Sequence, residues 1–206
     1  MIFNEQFILE SKNTHMEHLE DLVFNEGVLG ARKAIGYLQG LRDMLSGHTT
    51  TRITATVKWD GAPAIFAGID PRDGKFFVAK KGIFNKEPKV YKSHNDIHLD
   101  TSGDLAEKLS IALTELKKVG IKDGVYQGDI MFTKKDLKRE TIDGEQYITF
   151  HPNTIVYAVP RASSLGKRIS EAKIGVIWHT KYTGDSFENM KASFGVDITK
   201  GLSQTS

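Results

Sequence analysis

A lysine two residues ahead of an Asp-Gly pair, Lys58-Trp59-Asp60-Gly61, is the part of this sequence best suited to covalent chemistry. A primary amine can attack the α-phosphorus of a nucleoside triphosphate and hold the nucleotide as a phosphoramidate. It must first shed a proton, because an ordinary lysine has a pKa of about 10.4. Desolvation or nearby positive charge favours the neutral amine. Gly61 would let the backbone approach a ligand with no side chain in the way. Lys80 and Lys81 follow as adjacent cations that can meet phosphate. Asp129 stands inside an otherwise apolar run, 124–132, where an acid calls for a polar or charged partner.

These residues need elements to hold them. Ile53, Ala55 and Val57 alternate with Arg52, Thr54, Thr56 and Lys58, the pattern of a half-buried strand with Lys58 on its polar face. Asp60-Gly61 is a turn signal, and residues 64–67 read as the next strand. The turn Asp70-Pro71-Arg72-Asp73-Gly74 leads into a third strand at 75–81. Three strands joined this way predict an antiparallel meander. Helices are predicted at 15–24 and 28–46; in the second, Ile35, Leu38, Leu41 and Leu45 share a face, and Gly36 and Gly40 imply close packing. A further helix is expected at 103–119, ended by Gly120. Strands are expected at 124–132, 147–150, 154–159 and 174–179, with a hairpin turn at Asp143-Gly144. Strands and helices without strict alternation make an α+β fold.

Composition narrows the class. The chain has 206 residues, 39% hydrophobic and 26% charged, ordinary values for a soluble globular protein. No apolar run approaches the roughly 20 residues that span a bilayer, and the first residues lack the basic-then-apolar order of a signal peptide. The expected location is cytoplasmic, with no membrane partner. With no cysteine in the chain, disulfides and thiolate chemistry are excluded. Net charge is only +2, yet lysines gather between Lys75 and Lys92 and again at Lys134, Lys135, Lys138 and Arg139. Such clusters suit phosphates, though solvated loops are the commoner explanation.

The segment Thr56-Val57-Lys58-Trp59-Asp60-Gly61-Ala62-Pro63-Ala64-Ile65 resembles motif I of the ATP-dependent DNA and RNA ligases and mRNA capping enzymes, and is most similar to the RNA-ligase branch and its phage proteins. The resemblance covers roughly residues 50–182. It implies a ligase-type nucleotidyltransferase (ATP-grasp-like) core at 49–182, with a helical segment 1–48 packed on it. Residues 183–206 are then an irregular tail and a point where the chain is cut short. Lys58 would be the nucleophile that takes AMP from ATP with Mg²⁺ and passes it to an RNA or DNA 5′ end. Asp60, Gly61, Lys80 and Lys81 would bind nucleotide. The run Gly124-Val125-Tyr126-Gln127-Gly128-Asp129 resembles the strand whose acid contacts the ribose, with Asp129 one methylene shorter than the usual glutamate. Tyr157, or Phe150 in its place, would stack on the base. His179-x-Lys181 stands where the family has a Lys-x-Lys strand, so Lys181 would hold phosphate. The family's metal-handling Glu-Gly has no counterpart, since Ile174 precedes Gly175; either these elements have diverged or they lie beyond Ser206. No metal ligand is assigned, and the oligomeric state stays open.

Other constellations fail on spacing. His15-Met16-Glu17-His18 does not have the two histidines four apart that a zinc-protease helix needs. The 70–74 turn lacks the alternating oxygens of a calcium loop, and Ser163-Ser164 has no nucleophile-elbow setting.

Overall fold

A computed structural model describes residues 19–47 and 58–194 of the chain. It divides into two compact units, Met1–Val57 and Lys58–Ser206. In the first, helix α1 (Leu19–Leu45) is two helical runs joined at Gly27, whose φ of 56° and ψ of −129° interrupt the helix between the two expected segments. The close approach falls at Gly30, where a Cβ would stand 1.7 Å from the Leu22 carbonyl oxygen; at Gly36 it would meet open space. His15 to His18 and the expected strand before Lys58 lie outside the described residues, and Lys58 itself is in irregular backbone.

The second unit is α+β and its sheets are antiparallel throughout. Strands β1 (Ala64–Ile69) and β2 (Phe76–Ala79) form the hairpin expected around the 70–74 turn. That turn is anchored by Asp70, which is fully buried and accepts two hydrogen bonds from the Arg72 guanidinium while Lys92 lies 2.6 Å away. Next come α2 (His94–Asp100), α3 (Gly103–Leu116) and β3 (Val125–Thr133). A hairpin of β4 (Lys138–Ile142) and β5 (Glu145–Phe150) turns at Asp143 and Gly144, both with positive φ. Strand β6 (Tyr157–Pro160), α4 (Ser164–Glu171), β7 (Ile174–Thr183) and β8 (Lys191–Phe194) complete the unit. The large sheet runs β2-β1-β3-β7-β8 and the small one β4-β5-β6.

The two faces of the large sheet carry different cores. Ala106, Leu109, Ala112, Leu113 and Leu116 of α3 bury against Ile65, Ala67, Val78, Tyr126 and Ile130. Each such leucine is worth about 1.5–3 kcal/mol when fully buried. On the opposite face lie Phe66, Phe77, Ala79, Val125 and Tyr182, joined by Phe187 and Met190. Residues 183–194 are therefore not the irregular tail expected from their weak periodicity. A third cluster, with Met131, Phe132, Ile148, Phe150 and Ile169, ties the end of β3 to the small sheet and α4.

Helices α2 and α4 and strands β4 and β8 were not among the expected elements. Both helices begin on a serine whose hydroxyl accepts from the backbone: Ser93 from Asp96, with the reciprocal bond that makes a capping box, and Ser163 from Gly166.

Candidate active site

Lys58-Trp59-Asp60-Gly61 is the loop that enters β1, held by contacts to both sheets. On the large-sheet side Gly61 presses against β3: a Cβ there would stand 2.5 Å from the Asp129 Cβ and 2.9 Å from the Met131 sulfur. Only glycine lets the loop lie this close. Backbone bonds continue the contact, Ala62 donating to the Ile130 carbonyl and Ile130 to that of Pro63. On the small-sheet side the Asp60 carboxylate accepts from Asn153 Nδ2 at 2.8 Å and from the Thr154 backbone N–H at 2.9 Å. These bonds, that from Asn153 foremost, hold the Asp60 carboxyl below the usual aspartate range. The Asp60 N–H in turn donates to the Tyr157 hydroxyl at 2.8 Å.

Asp129 is the acid at the centre. Its neighbour Ile130 packs under α3, so strand alternation turns the Asp129 side chain to the opposite face. Burial pushes its carboxyl up, while the charges of His179, Lys58 and Lys81 pull it back and Asp60 adds to the rise. Asp129 and His179 lie 3.9 Å apart, and the charges of Lys58 and Lys81 act on the Asp129 carboxyl. Lys58 is exposed and Lys81 begins the 3₁₀ turn Lys81–Phe84.

His179 owes its position to a β-bulge. Along β3 and β7, Gln127 pairs with Thr180 and Gly128 with Trp178, so His179 is the extra residue. Its side chain and that of Thr180 lie together, Nδ1 to Oγ1 at 2.8 Å, where regular strand neighbours would point apart. Nε2 stands 3.9 Å from Asp129 Oδ2. Burial lowers the His179 pKa; Asp129 raises it in part and Lys58 lowers it further.

Three expected nucleotide-binding residues are placed otherwise. Lys181 pairs with Asp123 at 3.1 Å and lies over the Tyr126 ring, on the α3 face away from Asp129. Lys80 is bound to Asp100 at 2.9 Å, beside Lys89 and Tyr91, on that same α3 side. The Tyr157 ring stacks on Phe150 and contacts Trp59, both at 5.4 Å, so it braces the loop through its hydroxyl, and Phe150 is buried beneath it. Trp59, 41% exposed, is the aromatic with a free surface beside Lys58. In the sequence Trp59 is marked only by its place next to the lysine, and His179 only by its place in His179-x-Lys181.

A family model described as "Family of unknown function (DUF6267)" matches residues 13–206. The chain belongs to this family. No curated protein and no solved structure matches the DUF6267 chain. No helix among the described residues is long and apolar enough to cross a membrane.

Proposed function

We propose that this DUF6267 protein is an ATP-dependent covalent nucleotidyltransferase on a ligase-type core, with Lys58 as the residue that carries AMP. The observation behind this reading is the Gly61 loop that starts at Lys58 and lies clamped against Asp129, whose carboxylate stands 3.9 Å from His179. Lys81, whose charge acts on Asp129, supplies a positive charge for phosphate. The indole of Trp59 offers a flat apolar surface for a base.

In the reaction, the Lys58 Nζ lone pair forms a bond to the α-phosphorus and the bond from that phosphorus to the bridging oxygen breaks. Pyrophosphate leaves with the electron pair, and the amine gives up two protons. A 5′-phosphate oxygen of a nucleic-acid end then displaces the lysine and receives the AMP. Among the described residues no three His, Asp or Glu side chains converge as a metal cage, and Asp60 is already committed to Asn153 and Thr154. In this reading magnesium comes with the nucleotide and neutralises phosphate charge.

The test is incubation with α-³²P-labelled ATP or GTP and Mg²⁺, followed by denaturing electrophoresis. Label is expected with ATP and lost in Lys58→Ala; an unlabelled wild type, or a labelled mutant, sinks the reading. A second reading draws on Lys80 and Lys181, both turned away and paired. It takes the protein as a nucleotidyltransferase fold that binds nucleic acid or nucleotide without covalent transfer. That reading predicts salt-dependent RNA or DNA binding with no label.

A further inference from the structure

Two features of the small sheet meet beside the Lys58 loop, a run of stacked rings and a set of unpaired cations. The rings begin in the core. Phe132 and Phe150 are buried with centroids 5.0 Å apart, Phe150 stacks on Tyr157 at 5.4 Å and 17°, and Tyr157 lies 5.4 Å from Trp59. Trp59 ends the run at the surface, and Ile155 and Val156, next to the Thr154 that binds Asp60, are exposed as well. The Tyr157 hydroxyl is taken by the Asp60 N–H, so the ring open to a further stacking partner is the indole.

The cations share a face of the same sheet. Arg139 pairs with Ile148 and Ile148 with Val159; strand alternation puts these three with Phe150 and Tyr157 on the face that α4 covers through Ile169. Glu140 and Glu145 alternate to the other face. Helix α4 adds Lys167 and Arg168, with Glu171 as its one acid, and Arg161 lies where Gly166 presses on the Pro160 carbonyl. Arg139, Arg161, Lys167 and Arg168 are exposed, and among the described residues none has an ion-pair partner. Around α3, by contrast, Lys80 and Lys89 pair with Asp100, Lys173 with Glu115 and Lys181 with Asp123. Unpaired positive charge beside an aromatic surface suits a single strand, whose phosphates meet the cations while a base stacks on the ring. A duplex keeps its bases paired and stacked, and a free nucleotide would leave the α4 cations unused.

We propose that this face seats a single-stranded nucleic-acid end, with a base on Trp59 and phosphates on Arg139, Arg161, Lys167 and Arg168. The proposal rests on the nucleic-acid partner common to both readings above and needs no covalent step. The strand then reaches the Lys58 loop from the small-sheet side, past the residues that hold Asp60.

The experiment titrates the full chain with a 5′-phosphorylated oligouridylate or oligothymidylate of about 12 nucleotides, a length within common site sizes. Tryptophan emission reports stacking, and the anisotropy of a 3′-fluorescein copy reports affinity across a salt series. The chain has two tryptophans, and Trp178 is partly buried against Tyr126 beneath α3, so a stacked base reads out on Trp59. Emission should be quenched, and log K should fall with log salt at a slope of about −3, for about four phosphate contacts. Trp59→Leu should lose the quench and bind about tenfold more weakly. The double variant Lys167→Gln, Arg168→Gln should keep the quench at saturation and reduce the slope by about 1.4. Lys80→Gln, on the α3 side, should leave the slope unchanged. Circular dichroism verifies folding, and if Trp59→Leu does not fold the double variant decides. An unchanged slope in the double variant overturns the proposal, as does a wild type that the oligonucleotide leaves unquenched. Quenching by ATP that the oligonucleotide does not match assigns Trp59 to a free nucleotide and overturns it too. Self-labelling with MgATP is read on the same preparation. A labelled protein that binds no strand overturns this proposal alone; an unlabelled protein that binds as expected overturns the covalent reading alone.

Discussion

His179 and Lys181, two residues apart on one strand, project to opposite faces of the large sheet. The extra residue in β7 shifts the alternation, so His179 meets Asp129 while Lys181 lies over Tyr126. On the proposed reading Lys81, whose charge acts on Asp129, is the lysine expected to matter beside Lys58, and Lys80 and Lys181 are not. Lys81→Ala should lower self-labelling by about tenfold, the equivalent of about 1.4 kcal/mol. Lys80→Ala and Lys181→Ala should stay within about twofold. Parallel labelling of the three variants checks this, and a loss confined to Lys181→Ala refutes the facial assignment.

Gly61→Ala tests the clamp on β3. The new methyl would overlap the Asp129 Cβ and the Met131 sulfur, and the Asp129 contact involves the stem of a strand residue that cannot swing away. Overpacking of this kind costs about 1–3 kcal/mol. Urea denaturation should show that loss, and labelling should fall with it because the Lys58 loop is displaced.

Asp129 is held against its own preference for water. Its folded pKa is raised above the ordinary 3.8, so the native state keeps the proton longer than the unfolded chain. The sign follows: stability from this group is complete below 3.8 and is lost as pH rises through the raised value. Asp129→Asn removes the ionisation. Its melting temperature should therefore gain on wild type as pH rises through that window and keep the gain at neutral pH. Equal melting temperatures at neutral pH would show that the carboxylate is not under strain.

Asp70 behaves oppositely. Burial alone would raise its pKa, but the hydrogen bonds from Arg72 and Lys92 outweigh it and hold the carboxyl far below the usual range. Its contribution is present above the unfolded value of 3.8 and is lost as pH falls. Asp70→Ala takes the buried partner from Arg72 and Lys92, though Lys92 keeps Asp73 at 2.8 Å. The cost should be about 3 kcal/mol, at the lower end for a broken buried pair because Arg72 is half exposed and can rehydrate. Acid unfolding of wild type and variant, followed by circular dichroism, should show the difference shrinking toward low pH.

Much of the fold could be read from local pattern. The stripe of α3 predicted its buried face, the 70–74 and 143–144 turns located two hairpins, and the apolar run at 124–132 marked the central strand. Short elements escaped because their signals are caps and pairings, not periodicity. Helix α2 depends on the Ser93–Asp96 capping box, and β8 on its partner β7. Strand β4 is exposed along its whole length, so it has no apolar alternation to show. At the site, residue types were legible but faces were not. Spacing puts His179 and Lys181 on one side; the bulge, a property of the pairing with β3, puts them on two. Lys80 and Lys81 look equivalent in sequence, yet one closes an ion pair with Asp100 and the other acts on Asp129.

The bonds from Asn153 and Thr154 to Asp60 join residues 93 and 94 positions apart. During synthesis the Lys58 loop leaves the ribosome long before its clasp exists, and His179 follows later still. The loop is therefore made well before the residues that hold it. Its place is fixed late, when the β5–β6 connection binds Asp60 and β3 comes to lie against Gly61. The position of this loop is thus a report on the completeness of the second unit.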